Sequence, residues 1–344
     1  MKLAEKMAES GVLPDSLVRA GIRMMNRERL KMEGRGTIED KRGRFKELIE
    51  KMDGSAVAPR PEMPNLQHYE VPADFFKIVL GKHLKYSCCY YPTGGETLDE
   101  AEEAMLRVTC ERALIGEGMD ILELGCGWGA LTLWMAEMYP SSRVTALSNS
   151  ASQREFIEGR CRELGIGNVR VVTADMNDFQ TGETFDRVVS VEMFEHMRNY
   201  RELMRRISTW MRPGAYLFVH LFCHRLHAYT FEGEGDDNWM GNHFFTGGIM
   251  PSDGLLLNFQ EHLALEEHWR MWGEHYRRTA EDWLANLDGG KDAIMPVLEA
   301  TYGKGEASRW FHRWRIFFIA CAELWGFRGG REWLVSHYRF RKGS

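Results

Sequence analysis

The middle of the chain alternates short β-rich runs with helical patterns, and this alternation restricts the fold more than any other feature of the sequence. The run M-D-I-L-E-L-G is typical of a strand and is followed by the helical pattern G-A-L-T-L-W-M-A-E-M-Y. The runs R-V-T-A-L-S and A-S-Q-R-E-F-I-E-G-R-C-R-E-L-G repeat the pair. Strands and helices at this spacing predict βαβ units, and hence an α/β fold with a doubly wound, mostly parallel sheet.

The segments outside this alternation differ from it in composition. Residues 1–65 combine charged and apolar positions at helical spacing and end in a proline-rich stretch. They predict a helical cap and linker ahead of a main domain at 66–344. A Gly-rich segment with several aromatic residues, at about 225–255, follows the fifth expected strand. Long loops of this kind are typical of lids, so a lid insertion is expected there.

Charge and cysteine content exclude several classes of partner. The net charge is −6, although the first 60 residues carry more Lys and Arg than Asp and Glu, so the remainder is acidic and no nucleic-acid partner is expected. The seven cysteines include no CxxC pair, which predicts reduced thiols in a cytoplasmic protein. The apolar run at 316–322 is far shorter than the ~20 residues that span a bilayer, so no integral membrane association is expected. The amphipathic N-terminal segment is interpreted as a solvated cap, with a membrane surface or a second subunit, as in a homodimer, as alternatives.

The turn after the first of these strands contains three alternate glycines. Gly125, Gly127 and Gly129 follow a strand that ends near Glu123, and they open a helix. Glycines permit a tight turn and close approach of a ligand, and the helix N-terminus offers unpaired N–H groups. The spacing is neither the dinucleotide fingerprint G-x-G-x-x-G nor a P-loop. The turn therefore predicts another ligand, with a merely tight turn as the alternative.

Three titratable residues stand directly after an apolar strand. Glu192, Glu195 and His196 lie in V-E-M-F-E-H-M, which follows R-V-V-S-V. Ligands bind at the carboxyl ends of parallel strands, so these groups are expected at the same rim as the glycine turn. A His beside a carboxylate is a common device for moving protons near pH 7. The alternative is a pair of solvated carboxylates at a helix start.

These motifs together resemble a known family. The motif E-x-G-x-G-x-G resembles motif I of the class I S-adenosylmethionine-dependent methyltransferases. The stretches L-K-Y-S-C-C-Y-Y, L-S-N-S-A-S-Q, V-E-M-F-E-H-M and H-Y-R-R-T-A-E-D-W-L are similar to the cyclopropane fatty-acid synthase superfamily, and most of all to its coclaurine-type N-methyltransferases. The resemblance covers nearly the whole chain. It implies a Rossmann-like fold with a seven-stranded sheet, S-adenosyl-L-methionine as cofactor and S-adenosyl-L-homocysteine as product.

The resemblance also places the cofactor. Its methionine end is expected over the glycine turn, with Glu123 beneath it, and its adenine beside Asp175 and Met176. The stretch L-S-N-S stands where many class I members have an acid for the ribose hydroxyls, although Ser148 and its neighbours still offer hydrogen bonds. The expected cofactor-binding residues are Tyr86, Ser87, Glu123, Gly125, Gly127, Gly129, Ser148, Asn149, Gln153, Asp175 and Met176.

The resemblance gives Glu192, Glu195 and His196 catalytic roles, with Glu195 and His196 as the expected proton-handling pair. The acceptor is then a small secondary or tertiary amine, which must be neutral to attack a methyl group. Aromatic side chains are expected beside the cationic groups, where each contributes ~0.5–2 kcal/mol. The expected substrate-binding residues are Cys88, Tyr90, His220, Trp239, Phe244, Phe245 and Tyr276.

Lipid alkylation is the alternative function, by cyclopropanation or C-methylation of an unsaturated acyl chain. In the cyclopropane synthases a bound bicarbonate removes a proton, and the matching positions around that ion are Cys88, Glu195, His220 and Tyr276. The short cap and the Cys88-Cys89 pair favour the amine, since the synthases have a larger lipid-binding domain and usually Cys-Gly. His220 favours the synthases, because the plant enzymes have a Glu there. A non-catalytic cofactor-binding protein is a third hypothesis.

A metal site is not expected. The stretch H-L-F-C-H-R-L-H holds three histidines and a cysteine, which are ligands that zinc uses. It begins inside an expected strand, however, where alternate residues face opposite sides. The histidine at the carboxyl end of that strand is expected to face the substrate.

Overall fold

The computed structural model describes residues 2–63, 71–231 and 239–343. Its strands are β1 (Asp120–Leu124), β2 (Arg143–Ser148), β3 (Val169–Thr173), β4 (Phe185–Val191), β5 (Met211–His224), β6 (Tyr229–Thr230), β7 (Ile249–Met250), β8 (Leu263–Trp272) and β9 (Trp333–Lys342). The main sheet has seven strands in the order β3-β2-β1-β4-β5-β9-β8. Strands β1 to β5 run parallel, whereas β9 pairs antiparallel with β5 and β8. The predicted α/β fold with a mostly parallel, seven-stranded sheet is confirmed.

Helices precede, connect and follow these strands. They are α1 (Lys2–Glu9), α2 (Asp15–Gly34), α3 (Ile38–Asp53), α4 (Ala73–Val79), α5 (Leu98–Ala113), α6 (Ala130–Met138), α7 (Ala151–Leu164), α8 (Tyr200–Thr209), α9 (Trp239–His243), α10 (Gly273–Gly289), α11 (Lys291–Tyr302) and α12 (Ala307–Trp325). Local sequence explains several boundaries. Thr37 and Thr97 each begin a helix with a reciprocal capping box, and Gly165 ends α7 in the left-handed region.

The central strands are buried on both faces because helices cover both sides of the sheet. In β4, Val188 packs in the same apolar layer as Leu203 of α8. The next residue, Val189, packs in the layer that contains Leu131 of α6. Side chains alternate along a strand, so the apolar run in β4 supplies both layers.

The N-terminal cap packs against the C-terminal part of the chain. Arg19 and Arg23 of α2 both pair with Glu323 of α12, and Arg19 Nη1 lies 3.0 Å from Glu323 Oε1. The stretch after α3 reaches the rim of the sheet, where the Arg198 N–H donates to the Val57 carbonyl at 2.7 Å. The expected boundary between residues 65 and 66 lies outside the described residues, and the division into cap and main domain stays a prediction.

The expected lid begins directly after β5. Residues 232–238 of this segment lie outside the described residues. The remainder forms the β6–β7 ladder and α9, and Phe244 stacks on Phe317 of α12 with ring centroids 4.4 Å apart. Its action as a lid stays a prediction. Within the described ranges, no helix is both long and apolar enough to cross a bilayer.

Candidate active site

An open cleft lies along the carboxyl ends of β1 to β4. Parallel pairing brings these four strand ends to one edge, which is why the motifs of the sequence meet there. The cleft also receives the segment before α5 and the stretch after α3. The predicted site residues that line it are Tyr86, Ser87, Glu123, Gly125, Gly127, Ser148, Asn149, Gln153, Asp175, Met176, Glu192 and His196.

A side chain at each of the three glycine positions in the turn would have different surroundings. All have positive φ, and a Cβ on Gly125 would lie 2.8 Å from the Met193 side chain. Gly129 starts α6 and packs against Ile157, whose Cγ1 would lie 2.8 Å from such a Cβ, and it is not among the described residues that line the cleft. No heavy atom of the described residues lies within 4 Å of the Cβ position at Gly127. The space beside Gly127 is therefore the part of the turn that is open to a ligand.

Glu123 is a buried carboxyl beneath this turn. The Thr132 hydroxyl donates to its Oε2. Burial raises the pKa of Glu123 to about 8, with the Thr132 hydrogen bond opposing the rise, because an ionised carboxylate is poorly solvated there. Glu123 is therefore mostly neutral at pH 7 in the cofactor-free chain.

The first turn of α7, which follows β2, presents a buried donor to the cleft. Ser148 Oγ donates to Gln153 Oε1 at 2.6 Å, which fixes the amide. Gln153 Nε2 is buried and has no hydrogen-bond partner among the described residues. A buried donor without a partner is costly, so a ligand with acceptor oxygens or nitrogens fits this position. Together with the open space at Gly127, it makes the cleft suitable for the S-adenosylmethionine that the resemblance implies.

Glu192 lies at the other end of the cleft and is held by three donors. Its Oε1 accepts from the Cys88 N–H at 2.9 Å and from His220 Nε2 at 3.2 Å, and its Oε2 accepts from the Tyr276 hydroxyl at 2.7 Å. Its backbone is in the left-handed region, at φ 48°, which costs a non-glycine residue ~1–3 kcal/mol. The Glu192 N–H donates to the His220 carbonyl at 2.8 Å, which helps to hold this backbone.

The two carboxyl groups of V-E-M-F-E-H-M have different surroundings. The pKa of Glu192 is raised, because the effect of burial exceeds the opposing effects of Lys85, the Cys88 N–H, Tyr276 and His196. Burial and then the charge of Glu192 raise the pKa of Glu195 well above its usual value. Glu195 has the Phe222 N–H as donor to Oε1, at 2.6 Å, and Oε2 has no partner within the described residues. With three donors to its carboxyl against one for Glu195, Glu192 is the member of the pair that loses its proton first.

The sequence predicted Glu195 and His196 as a pair. The hydrogen bond of Glu195 described above, however, comes from the Phe222 N–H and not from His196. The His196 ring lies 4.8 Å from the ring of Phe245 and lowers the pKa of Glu192. The structure therefore brings His196 together with the cleft and with Glu192, and it directs the Glu195 carboxyl toward β5. The catalytic role of each group stays a prediction.

The predicted substrate residues fall into three groups. Cys88, His220 and Tyr276 contact Glu192. Phe245 lies against His196. The others lie elsewhere: Tyr90 packs edge-on against His275, Trp239 Nε1 donates to Glu9 at 2.9 Å, and Phe244 is buried against α12. None of these seven is among the described residues that line the cleft.

Sequence reasoning missed a buried lysine at the cleft. Lys85 is 3% exposed and donates to Ser87 Oγ at 2.5 Å and to the Cys88 carbonyl at 2.7 Å. Buried Glu102 accepts from the Lys85 N–H at 3.1 Å and from two further N–H groups of the same loop. The available signal was a lysine directly before the aromatic Y-S-C-C-Y-Y stretch. Within the described ranges, no group of three or more His, Cys, Asp or Glu is arranged to hold a metal ion.

The chain is similar to proteins of known family. The family model described as mycolic acid cyclopropane synthetase matches residues 59–331. The chain is 40% identical over 341 residues to (S)-coclaurine N-methyltransferase of Thalictrum flavum subsp. glaucum, covering 98% of this chain and 94% of that protein. It is 28% identical over 271 residues to cyclopropane-fatty-acyl-phospholipid synthase of Escherichia coli (strain K12), covering 78% and 66%. A crystal structure of coclaurine N-methyltransferase bound to N-methylheliamine and SAH is similar with a TM-score of 0.95 and 39% identity, covering 98% of this chain and 99% of that one.

The likeness extends over the cap, the glycine turn and the final strands, since it spans nearly the full length of both the curated relative and the solved structure. The family predicted from the motifs is therefore confirmed, and so is the class of enzyme. This chain belongs to the mycolic acid cyclopropane synthetase family of S-adenosylmethionine-dependent methyltransferases.

Proposed function

We propose that the chain transfers a methyl group from S-adenosylmethionine to the nitrogen of a small secondary or tertiary amine. The observation that carries this proposal is the Glu192 carboxylate, which is held by three donors at the cofactor cleft and lies near His196. The relatives of highest identity given above are named as coclaurine N-methyltransferases. A fixed anion beside an imidazole suits an acceptor that is a cation at neutral pH.

Glu192 has one hydrogen-bonding position left for the acceptor. A carboxylate offers about four lone-pair sites, and the three donors described above use two on Oε1 and one on Oε2. The remaining site on Oε2 can accept an N–H of a protonated amine. This contact orients the nitrogen, and it removes the proton that would otherwise block attack.

His196 completes the proton transfer. A secondary amine that gains a methyl group becomes an ammonium with one N–H, and that proton must leave to regenerate a neutral product. Glu192 first releases to solvent the proton that it took from the amine, and it is then an anion again. His196 accepts the second proton from the methylated nitrogen, and the Glu192 charge stabilises the imidazolium that forms. A tertiary amine gives a quaternary product with no N–H to lose, so His196 matters less for that acceptor.

The cofactor supplies an electrophilic methyl group on a sulfonium when it is bound. For this group Gly127 would provide the open side of the turn, and Gln153 Nε2 would provide a donor that has no partner among the described residues. Glu123 would lie beneath the turn as a neutral carboxyl. Lys85 is kept from the bulk solvent by its bonds to Ser87 and to the Cys88 carbonyl.

The geometry weighs against the lipid alternative. Three of the four positions that the resemblance placed around bicarbonate are Cys88, His220 and Tyr276, and each donates to Glu192 instead. A carboxylate of the chain already uses the donors that an external carbonate would need. Bicarbonate is therefore not part of the proposed mechanism.

A labelling screen tests the proposed acceptor class. Purified protein is incubated with methyl-labelled S-adenosylmethionine and, separately, with (S)-coclaurine, heliamine or vesicles of an unsaturated phospholipid. We expect label in the amine products alone. Label in the lipid fraction alone would refute the proposal and favour the alternative.

Single substitutions then test the roles of the site residues. We expect His196→Gln to lower kcat for a secondary amine by ~10²–10⁴-fold, with a much smaller loss for a tertiary amine. Glu183→Gln is the matched control, since Glu183 is an exposed carboxylate paired with Arg170 far from the cleft. Equal losses for both amines would contradict proton removal by His196.

A further inference from the structure

A line of four polar side chains runs from the cleft to helix α5. Glu192 Oε1 lies 3.2 Å from His220 Nε2, and His220 Nδ1 lies 3.0 Å from His337 Nε2. His337 Nδ1 lies 2.8 Å from Arg112 Nη1. The two histidines are register partners on β5 and β9, and both are fully buried. The line therefore uses both ring nitrogens of each histidine.

The arginine at the far end sets the direction of every hydrogen bond. A guanidinium can only donate, so His337 Nδ1 is the acceptor and, in a neutral ring, Nε2 carries the proton. His337 Nε2–H then donates to His220 Nδ1, and His220 Nε2–H donates to Glu192. Burial lowers the pKa of both histidines well below the usual value, so both rings are neutral. All three bonds thus point toward Glu192.

We propose that Arg112 and His337 are positioning residues which, through His220, hold the Glu192 carboxylate ionised and in a fixed orientation at the cleft. The inference rests on the proposed function, in which Glu192 contacts the amine. The opposite direction of the line would present a bare His220 Nε2 to Glu192, which would then have to be protonated. Arg112 excludes that arrangement because it cannot accept a hydrogen bond. The same property prevents the line from conducting a proton from Glu192 to the surface.

Other groups also act on the charge of Glu192. Three charged or chargeable groups of its surroundings are Lys85, Glu195 and His196. The charge of Glu192 in turn raises the pKa of four weak acids: Tyr276, Cys88, Cys89 and Cys321. A test must therefore change the direction of the line while these groups stay in place, and substitutions at its remote end achieve this.

The first test measures the tautomers and needs no acceptor. Protein with ¹⁵N-labelled histidine is studied at pH 7 by two-bond ¹H–¹⁵N correlation, and His220→Gln and His337→Gln variants assign the signals. We expect both rings to be neutral with the proton on Nε2. A charged ring, or a proton on Nδ1 of either ring, would overturn the inference.

The second test compares variants that break the line with variants that preserve it. Arg112→Met and His337→Leu remove a hydrogen-bonding group that fixes the direction of the line. Arg112→Lys keeps a group that can only donate, and His337→Gln keeps one acceptor and one donor. With (S)-coclaurine as acceptor, we expect the acidic limb of the kcat profile to move up by about one pH unit in the first pair only, because a hydrogen bond to the charged form favours that form. Cofactor affinity should be unchanged.

Trp269→Leu is the control, because the Arg112 guanidinium lies 5.1 Å from the Trp269 ring, and this change removes that contact while every hydrogen-bond donor and acceptor of the line stays in place. An equal shift in Trp269→Leu, or no difference between the breaking and preserving variants, would overturn the inference. Failure of (S)-coclaurine and every other amine to react would instead refute the proposed function, and the tautomers would still decide the inference.

Discussion

Replacing Glu123 by Gln should make the cofactor-free chain more stable at pH 8 than the unmodified chain, with little difference near pH 5. The pKa of Glu123 rises from 4.5 to about 8 in the folded chain, and the cause is burial beneath the glycine turn. Between these two pH values the unfolded chain has lost the proton and the folded chain still holds it. Stability therefore falls as pH rises through this window, by ~1.4 kcal/mol per pH unit.

The size of the effect follows from the shift. A difference of about 3.5 pH units corresponds to ~5 kcal/mol as an upper bound at pH 8. Glutamine is nearly isosteric with the protonated acid, and its carbonyl can still accept from Thr132, so the variant keeps the fold but has no proton to lose. The gain of Glu123→Gln over the original chain should thus increase steadily from pH 5 to pH 8.

Urea unfolding at 25 °C at pH 5, 6, 7 and 8 measures this gain. Other buried carboxyls titrate in the same range, but they do so equally in both chains and cancel in the difference. Glu183→Gln serves as the control, because the Arg170 guanidinium lowers the pKa of Glu183 and its difference should stay flat above pH 5. Parallel stability curves for Glu123→Gln and the original chain would refute the idea that Glu123 is protonated at neutral pH.

Two further predictions concern the cleft. Gly127→Ala should weaken S-adenosylhomocysteine binding at least about tenfold in calorimetry, because the added methyl group occupies space that is open to a ligand; unchanged affinity would contradict a ligand at this face. Tyr276→Phe should lower kcat at pH 7 about tenfold and move its acidic limb upward, because Glu192 loses a donor worth ~1.5–3 kcal/mol to its charged form. Cofactor affinity should not change in that variant, and a profile like that of the original chain would count against the role of Glu192.

The fold and the cofactor rim were predictable from local patterns. Alternating strands and helices indicate a parallel sheet, and parallel strands bring their carboxyl ends to one edge. Gly127, Gln153 and Glu192 therefore meet at one cleft although they come from three different strand–helix turns. The family and the methyltransferase class also followed from the motifs, and both are confirmed.

The lid residues were harder to place, because their contacts depend on the C-terminal helices. Trp239 and Phe244 lie in a Gly-rich loop, and the sequence predicted that both bind the substrate. In the structure Trp239 donates to Glu9, and Phe244 stacks on Phe317. An aromatic residue in a loop packs on whichever apolar surface the fold brings near it. For Phe244 that surface is on α12, more than 60 residues away along the chain.

The sequence by itself determined the alternation, the glycine turn and the three titratable groups after β4, because each depends on residues that are close together in the chain. Only the tertiary structure decided which carboxyl loses its proton more readily. Glu192 and Glu195 are three residues apart and chemically identical, but the strands and helices around them give one three donors and the other a single N–H. That difference comes from Cys88, His220 and Tyr276, which are distant in sequence and meet only when the sheet and α10 are assembled.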